Sequence, residues 1–463
     1  MTLTPNPTLL WFVIGYGLIM VILGIWFSRR IKSSDDFVMA GRSLGPFVLA
    51  GTLLATFTGS GTVTGGANSL GYSHGFWAAT IISLPVGFIG FGTLYLIAPK
   101  IRAFGKYTIS QVLEAQYGQG AKVLSAIIII LAYVGIVSYQ FKGLAFVLNV
   151  TTGISVEMGT IISAVLIIFL AVIGGLMAIA PTDALSAFFM ILGLLVAIPS
   201  VLIAGGGWEH IAANLPPENL GPKGSLSIFE MIGYLLPMVF LMLGDQNIYQ
   251  RLASSKGEKS AKSGLIIWCI GLFIVFPAIP FIAMIARSIF PDIAPGMALI
   301  SMVTVMPILF AGIMLAAVAA FVVTTGNSYL LSASTSLTYD IYIRFFRPNA
   351  ESKEILFVTK AAIPVLGLFS YVLLQFFPTI LKIQMTSYLV YGAGITPAVL
   401  AVFIWPRVNK LGGIFSMIVG VVSTLALYKP FGTAGSALAV PLAILTLIIV
   451  TFITSKKNES VNG

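Results

Sequence analysis

The chain contains thirteen long apolar runs separated by charged, glycine or proline breaks, and this feature limits its possible folds more than any other. A helix needs about 20 apolar residues to cross the hydrocarbon core of a bilayer. The ninth run is longer than one simple crossing requires, so we expect a tilted helix with a cytoplasmic tail. The sequence therefore predicts an all-α polytopic membrane protein with 13 transmembrane helices. The runs cover 9–28, 46–71, 76–99, 122–148, 156–178, 182–204, 227–250, 263–288, 296–338, 354–377, 380–405, 412–428 and 434–454.

The composition excludes several classes of protein. Of 463 residues, 58% are hydrophobic and 9% are charged, against about 25% charged in soluble proteins. A water-soluble enzyme and a disordered chain are both excluded. The net charge of +10 does not indicate nucleic-acid binding, because the basic residues are scattered over short loops. Neither an obligatory protein partner nor a nucleophile–base pair of an enzyme is evident.

The basic residues predict the orientation. If the N-terminus is outside, 20 of the 25 Lys and Arg residues fall on inner segments and four on outer ones, while Lys142 lies within a span. This bias predicts an N-out, C-in protein of the cell membrane, with the lipid bilayer as its surroundings. An odd number of spans agrees with that orientation.

Two spans contain residues that favour an interrupted helix. The second includes the glycine- and threonine-rich stretch 56–66, and the seventh includes Pro237 and then Gly244-Asp245-Gln246-Asn247. Unwound backbone survives in a membrane only where protein or a water-filled cavity surrounds it. Paired interrupted helices, five spans apart, are typical of a transporter binding site between inverted repeats. Glycine-mediated helix packing remains an alternative for the second span.

The ninth span carries a cluster of hydroxyl and amide side chains over 324–328, followed by more serines and threonines. Isolated hydroxyls in a helix bond back to the backbone and indicate nothing further. A cluster that faces an unwound helix is a better candidate for Na⁺, a hard cation that prefers several oxygen ligands.

Two ionisable residues lie at or near membrane depth. Asp183 is either a functional intramembrane acid or the N-cap of the sixth helix. Lys142 lies about 20 residues into the fourth span. It either neutralises Asp183 or Asp245, extends towards an interface, or meets an anionic substrate; we favour the first two interpretations.

Five motifs in order give the sequence a resemblance to the sodium:solute symporter family, which includes bacterial proline, pantothenate, galactose and sialic-acid transporters. The resemblance covers nearly the whole chain. The motifs are Gly41-Arg42-Ser43-Leu44, Gly71-Tyr72, Gly174-Gly175-Leu176 with Thr182-Asp183, Gln250-Arg251-Leu252-Ala253, and Tyr339-Asp340-Ile341-Tyr342.

The resemblance implies a LeuT-type core of two inverted five-helix repeats within a single transporter domain. The first repeat would cover 46–204 and the second 227–405. An extra N-terminal helix and loop would occupy 1–45, and two C-terminal helices would occupy 406–463.

The resemblance also implies sodium sites. Counting from the family motifs predicts a first site of Thr56, Gly59, Phe321, Thr324 and Thr325. A second sodium would involve Asp183, Asn327 and Ser328; Asn327 departs from the hydroxyl residue that is usual in the family. Substrate contacts are expected at the two breaks and at Lys142. They are Ser60, Gly61, Thr62, Lys142, Met242, Asp245 and Gln246.

These expectations together describe a sodium-coupled symporter that imports a small organic solute by alternating access. The region of the first break has few hydrogen-bonding side chains, so a monocarboxylate or an amino acid is favoured over a sugar. The alternatives are a proton-coupled transporter of the same fold and a non-transporting sensor or channel.

Overall fold

The computed structural model describes the backbone of residues 4–461 and the side chains of residues 4–455. Within that part of the chain the regular structure is helical, and an isolated bridge between Leu44 and Ser255 is the only β-pairing. Lys456 and Lys457, which the orientation analysis counts on the inner side, lie outside the residues whose side chains are described.

Twenty α-helices follow one another along the described chain. They are α1 (Pro7–Ser28), α2 (Ser34–Met39), α3 (Pro46–Phe57), α4 (Gly66–His74), α5 (Phe76–Phe104), α6 (Ile109–Tyr117), α7 (Gln119–Thr152), α8 (Val156–Ala204), α9 (Trp208–Ala213), α10 (Ile228–Gly244), α11 (Gln246–Ala253), α12 (Glu258–Ile289), α13 (Ala298–Ser301), α14 (Ile308–Ser336), α15 (Ile343–Phe345), α16 (Ser352–Leu374), α17 (Ile380–Gly394), α18 (Thr396–Ile404), α19 (Lys410–Ser436) and α20 (Ala439–Val461). Two π-helical segments, Gly61–Gly65 and Leu337–Tyr342, and four short 3₁₀ segments complete the helical structure.

The helices have the lengths that membrane crossing requires. Among the described residues, ten helical segments are long and apolar enough to span a bilayer. The bent pair Pro46–Phe57 and Gly61–His74, which meet at 49°, makes an eleventh. The protein is therefore an all-helical membrane protein, and its second predicted span is bent at the expected place.

Helix α8 joins two predicted spans into one element. Its 49 residues extend to about 74 Å at 1.5 Å per residue, which is more than twice the hydrocarbon thickness. The backbone turns at Gly175, where φ is +57°. The break was predicted between 178 and 182, around Pro181, but Pro181 and Asp183 lie inside the helix. The interpretation of Asp183 as a helix N-cap is therefore wrong.

The long ninth run divides into two parts, so the prediction of one tilted helix is wrong. A short helical segment, Pro295–Val305, is followed by Met306 in an extended conformation and then by α14 from Ile308. Pro307 precedes α14 and has no backbone N–H to continue the preceding helix, which explains the break.

Helix α14 is the central element of the bundle and positions the site. It packs against α7, α8 and α3, while α17 packs against α7, α10 and α19. Much of α14 and α17 is buried within the protein, whereas α1 is largely exposed on the bundle surface. Polar side chains on α14 therefore face protein rather than lipid.

Candidate functional site

The first break begins where α3 stops. Thr58 N–H donates to the Leu54 carbonyl and ends the regular ladder, so the carbonyls that follow in the last turn have no helical partner. Ser60 N–H instead donates to Gln140 Oε1 of α7 at 2.8 Å. The helix therefore ends inside the bundle with carbonyl oxygens available for other ligands.

A close approach between the first break and α14 explains the glycine at position 59. A Cβ added to Gly59 would lie 2.2 Å from Thr325 Oγ1 of α14. Any larger residue would push α14 away from the end of α3. The absence of a Cβ at this position lets the break and the hydroxyl cluster of α14 touch.

The hydroxyl pair of α14 contacts the end of α3 at a carbonyl one residue before the predicted Thr56. Thr325 Oγ1 donates to the carbonyl of Ala55 at 2.8 Å, so Ala55, and not Thr56, presents its carbonyl to the hydroxyl pair. The predicted Gly59 carbonyl already accepts from the N–H groups of Thr62 and Val63. These hydrogen bonds favour Ala55 over Thr56 as the carbonyl next to the hydroxyl pair, and the carbonyl ligands of the first site stay a prediction.

The other predicted members of the first site lie next to one another on α14. Thr324 Oγ1 is 3.3 Å from the carbonyl of Phe321, one turn earlier on α14. Among the described contacts, the carbonyl of Thr58 accepts no hydrogen bond. The hydroxyls of Thr324 and Thr325 and the carbonyls of Ala55 and Phe321 lie together as a cluster of oxygens of the kind that a hard monovalent cation prefers.

The second predicted site is centred on Asp183, which is fully buried in α8. Its Oδ2 accepts from Thr52 Oγ1 at 2.5 Å and lies 3.5 Å from Arg251 Nη2. Oδ1 of Asp183 and Oδ1 of Asn327 have no hydrogen-bond partner among the described residues. Two oxygens of the predicted second site are therefore free for a cation.

Arg251 is the residue of this cluster that sequence analysis missed as a site residue. It was counted as an inner positive charge, but it is 1% exposed and lies on α11. Its Nη2 donates to Ser328 Oγ at 2.7 Å, and its Nε donates to Thr52 Oγ1 at 2.9 Å. The sequence feature that could have identified Arg251 is its position six residues after the second break, on a helix that continues inside the protein.

The second break is held by Asp245. The carboxylate accepts hydrogen bonds from Tyr133 of α7 at 2.5 Å and Tyr329 of α14 at 2.6 Å. It also accepts from Asn247 N–H at 2.9 Å, which caps α11. Asp245 thus joins the broken span to α7 and α14, and these contacts occupy both carboxylate oxygens.

The side chains of Gln246 and Met242 also contact other helices inside the protein. Gln246 Nε2 donates to Ser336 Oγ at 3.0 Å, and its Oε1 accepts from Ile109 N–H at 3.0 Å. Met242 packs against Gly90 of α5, where an added Cβ would meet its sulfur. Neither side chain lines the cavity at the first break. In this conformation neither would contact a solute held in that cavity.

A small cavity lies beside the π-helical segment Gly61–Gly65. Its volume of about 20 Å³ accommodates little more than one water molecule, so the pocket is closed in this conformation. Of the predicted substrate residues, Gly61 and Thr62 line it, whereas Ser60 does not. The lining is Phe57, Gly61, Thr62, Ala67, Ser83, Val86, Met238, Phe276, Gln384 and Tyr388.

Ser60 turns towards α7 instead. Its hydroxyl donates to the Tyr139 carbonyl at 3.1 Å and lies within hydrogen-bonding distance of Thr64 Oγ1. These contacts stabilise the π-helical segment rather than offering a donor to a solute.

Gln384 of α17 closes the small cavity and was not predicted. Its Oε1 accepts from Gly66 N–H at 2.8 Å, at the start of α4. The neighbouring hydroxyls of Tyr139 and Tyr388 are 3.5 Å apart. Gln384 lies within the eleventh predicted span. A polar side chain in that otherwise apolar run is the sequence feature that could have identified it.

Lys142 lies at a different, larger cavity of about 380 Å³. Its Nζ is 3.4 Å from the Pro378 carbonyl. Among the described residues it forms no ion pair with Asp183 or Asp245, so the interpretation that it neutralises either acid is wrong. Its charged end faces a cavity and the Pro378 carbonyl.

Comparison with known proteins identifies the family. The sequence profile of the Sodium:solute symporter family matches residues 37–420. The chain belongs to this family. It is accordingly a transporter of a Na⁺-coupled family, not an enzyme, and a multi-pass protein of the plasma membrane.

Similarity to individual members of the family extends over most of the chain. The sodium/pantothenate symporter of Escherichia coli (strain K12) is 28% identical over 422 residues, covering 87% of each protein. The sodium/proline symporter of the same strain is 27% identical over 455 residues, covering 93% of this chain and 89% of the relative. Both relatives are symporters of small organic molecules.

The fold is shared with a solved structure. The substrate-bound, outward-open state of a Na⁺-coupled sialic acid symporter superposes with a TM-score of 0.82 at 20% identity. The alignment covers 96% of this chain and 98% of that one. At this identity the likeness shows the fold, which is the predicted LeuT type.

Proposed function

We propose that the protein is a sodium-coupled symporter that imports a small organic solute by alternating access. We count 13 spans, because α8 crosses twice and α20 adds one more to the eleven segments described above, and we place the N-terminus outside and the C-terminus inside. The excess of Lys and Arg on the inner side supports this orientation. The excess remains when the buried Arg251 is left out of the count. The inverted repeats are assigned to 46–204 and 227–405, and transport requires no obligatory protein partner.

The observation that carries the proposal is the hydrogen bond from Thr325 of α14 to the Ala55 carbonyl at the end of α3. A sodium ion between these segments would take the place of that bond and link the same two helices. We assign it the carbonyls of Ala55, Thr58 and Phe321 and the hydroxyls of Thr324 and Thr325. Sodium binding would thereby favour one arrangement of the two repeats over another.

A second sodium is assigned to Asp183, Asn327 and Ser328. The free oxygens of Asp183 and Asn327 support it. Ser328 already accepts a hydrogen bond from Arg251, so its remaining lone pair would face the ion. The energetic reason for using sodium is the membrane potential, which contributes about 2.3 kcal/mol per charge at 100 mV.

The solute is proposed to be a small, partly apolar amino acid or monocarboxylate. The cavity at the first break is lined by Phe57, Met238 and Phe276 on one side and by Gln384 and Tyr388 on another. That mixture suits a compact molecule with a few polar groups better than a sugar. The relatives that carry pantothenate or proline agree with this range.

Thermal stabilisation of the purified protein tests the proposal. Amino acids, monocarboxylates, pantothenate and sugars are added in sodium chloride and, in parallel, in potassium chloride. We expect the transported solute to stabilise the protein in sodium only, because coupled ligands raise each other's affinity. Equal stabilisation in both salts, together with a steep dependence on pH, would replace the proposal with a proton-coupled symporter.

A further inference from the structure

The larger cavity contains two opposite charges that the sodium sites do not use. Lys142 of α7 and Glu157 in the first turn of α8 both line it. Neither has an ion-pair partner within 4 Å among the described residues. The wall of the cavity therefore carries a cation and an anion that form no ion pair with each other.

The position of Lys142 calls for an explanation. A lysine inside a membrane span is costly unless water or a partner accepts its charge. Its hydrogen bond to the Pro378 carbonyl is long, at 3.4 Å, and the side chain is partly buried. The remaining hydration must come from the cavity itself, and a ligand carboxylate would supply a stronger partner.

The cavity adjoins the first break. Thr64 of the π-helical segment and Ser69 of α4 belong to its wall. Gly66, whose N–H donates to Gln384 of the small pocket, lies between these two wall residues in the chain. In the proposed orientation the cavity is on the outer side, so an incoming solute meets Lys142 and Glu157 before it reaches the break.

We propose that this cavity is an outer capture site for a zwitterionic α-amino acid. The carboxylate of the solute binds Lys142 and its ammonium group binds Glu157. The inference rests on the proposed function and narrows it, because a monocarboxylate would use Lys142 alone and leave Glu157 without a role. The volume of about 380 Å³ lies at the lower end of small-molecule sites, as an amino acid requires.

Protection of a cysteine in the cavity wall tests the inference. Cys269, the one native cysteine, is replaced by serine, and Ser73, an exposed residue of the wall, is replaced by cysteine. Labelling by a methanethiosulfonate reagent is measured in potassium chloride without sodium. An equimolar pool of the standard amino acids other than cysteine is compared with a pool of acetate, propionate, lactate and pyruvate.

We expect the amino-acid pool to slow labelling more than the monocarboxylate pool. Lys142→Gln and Glu157→Gln should each raise the half-protecting concentration by about twofold to fivefold, the range for charge pairs near water. Lys142→Arg should retain protection. Lys223→Gln and Glu218→Gln remove the same charges from exposed positions of an outer loop and should change nothing.

The result separates this inference from the proposed function. Absence of protection, equal protection by both pools, or full protection in Glu157→Gln would overturn the capture site. Because the assay contains no sodium, its outcome does not depend on sodium coupling. Loss of sodium-dependent stabilisation in the ligand screen would instead overturn the symport proposal, whatever the labelling shows.

Discussion

The guanidinium of Arg251 lies 3.5 Å from the carboxylate of Asp183, and both side chains are almost fully buried. Arg251 belongs to the broken seventh span and Asp183 to α8, so the pair joins the two halves of the sequence. Thr52 of α3 completes the cluster by donating to Asp183 and accepting from Arg251. A single buried ion pair thus connects α3, α8 and α11 beside the candidate sodium sites.

Removing one partner of this pair should strongly destabilise the protein. Asp183→Asn or Arg251→Gln leaves an uncompensated charge in the interior, and such changes cost about 3–5 kcal/mol. Thermal unfolding in detergent measures the loss, and the double variant should be less unstable than the two single effects added together. Lys262→Gln, which breaks the exposed pair with Glu258, is the matched control. If the buried and the exposed variants lost the same stability, the role of the Asp183–Arg251 pair in holding the helices together would be contradicted.

The hydroxyl pair of α14 should determine the response to sodium. Thr324→Ala with Thr325→Ala removes two proposed ligands, and we expect the sodium concentration for half-maximal stabilisation to rise at least about tenfold. Thr335→Ala is the control, because its hydroxyl bonds back to the Leu331 carbonyl on the same helix. An unchanged sodium response in the double variant would remove the first site from consideration.

Gly59 should tolerate no side chain. In Gly59→Ala the new methyl group would lie 2.2 Å from Thr325 Oγ1, so α14 and the end of α3 must move apart and sodium-dependent stabilisation should disappear. Gly92→Ala provides the comparison, since an added Cβ there has nothing within 4 Å. Normal sodium binding by Gly59→Ala would show that the close approach is unnecessary.

Asp245 should act as a structural anchor rather than as a proton carrier. Asp245→Asn replaces a charged acceptor of two tyrosine hydroxyls, and the loss should cost about 2 kcal/mol or more in the free energy of unfolding. Any transport that remains should keep the pH dependence of the parent. Asp292→Asn, at an exposed loop position, controls for the loss of charge. Loss of pH dependence in Asp245→Asn alone would favour the proton-coupled alternative.

Gln384→Met should open the route to the small pocket. The change keeps the length of the side chain but removes the acceptor for Gly66 N–H, a loss of about 1 kcal/mol. In the cysteine-free background, labelling of Thr62→Cys should become about fivefold faster. Gln375→Met, at the exposed end of α16, should leave the rate unchanged. The assignment of Gln384 as the closing contact fails if both variants label alike.

Several features of the site followed from local sequence. The bend of the second span was predicted at 56–66 because glycines and β-branched residues weaken a helix wherever they occur. The polar cluster at 324–328 was recognised because hydroxyl and amide side chains follow one another on one short segment, and the family resemblance singled out Thr324 and Thr325 within it. The register of the opposing carbonyl was predicted as Thr56 rather than Ala55, since a one-residue difference on an unwound segment depends on how two distant helices meet.

The sequence by itself determined that the chain is a helical membrane protein of the symporter family, with interrupted spans in its two halves. Length and apolarity of a span, and the residues that weaken it, are local properties. Only the tertiary structure decided that Arg251 pairs with Asp183, that Gln384 closes the pocket over Gly66, and that Lys142 shares a cavity with Glu157. The first two contacts join residues far apart in the chain, and the third case brings together residues of two successive helices. All three depend on the packing of whole helices rather than on any local pattern.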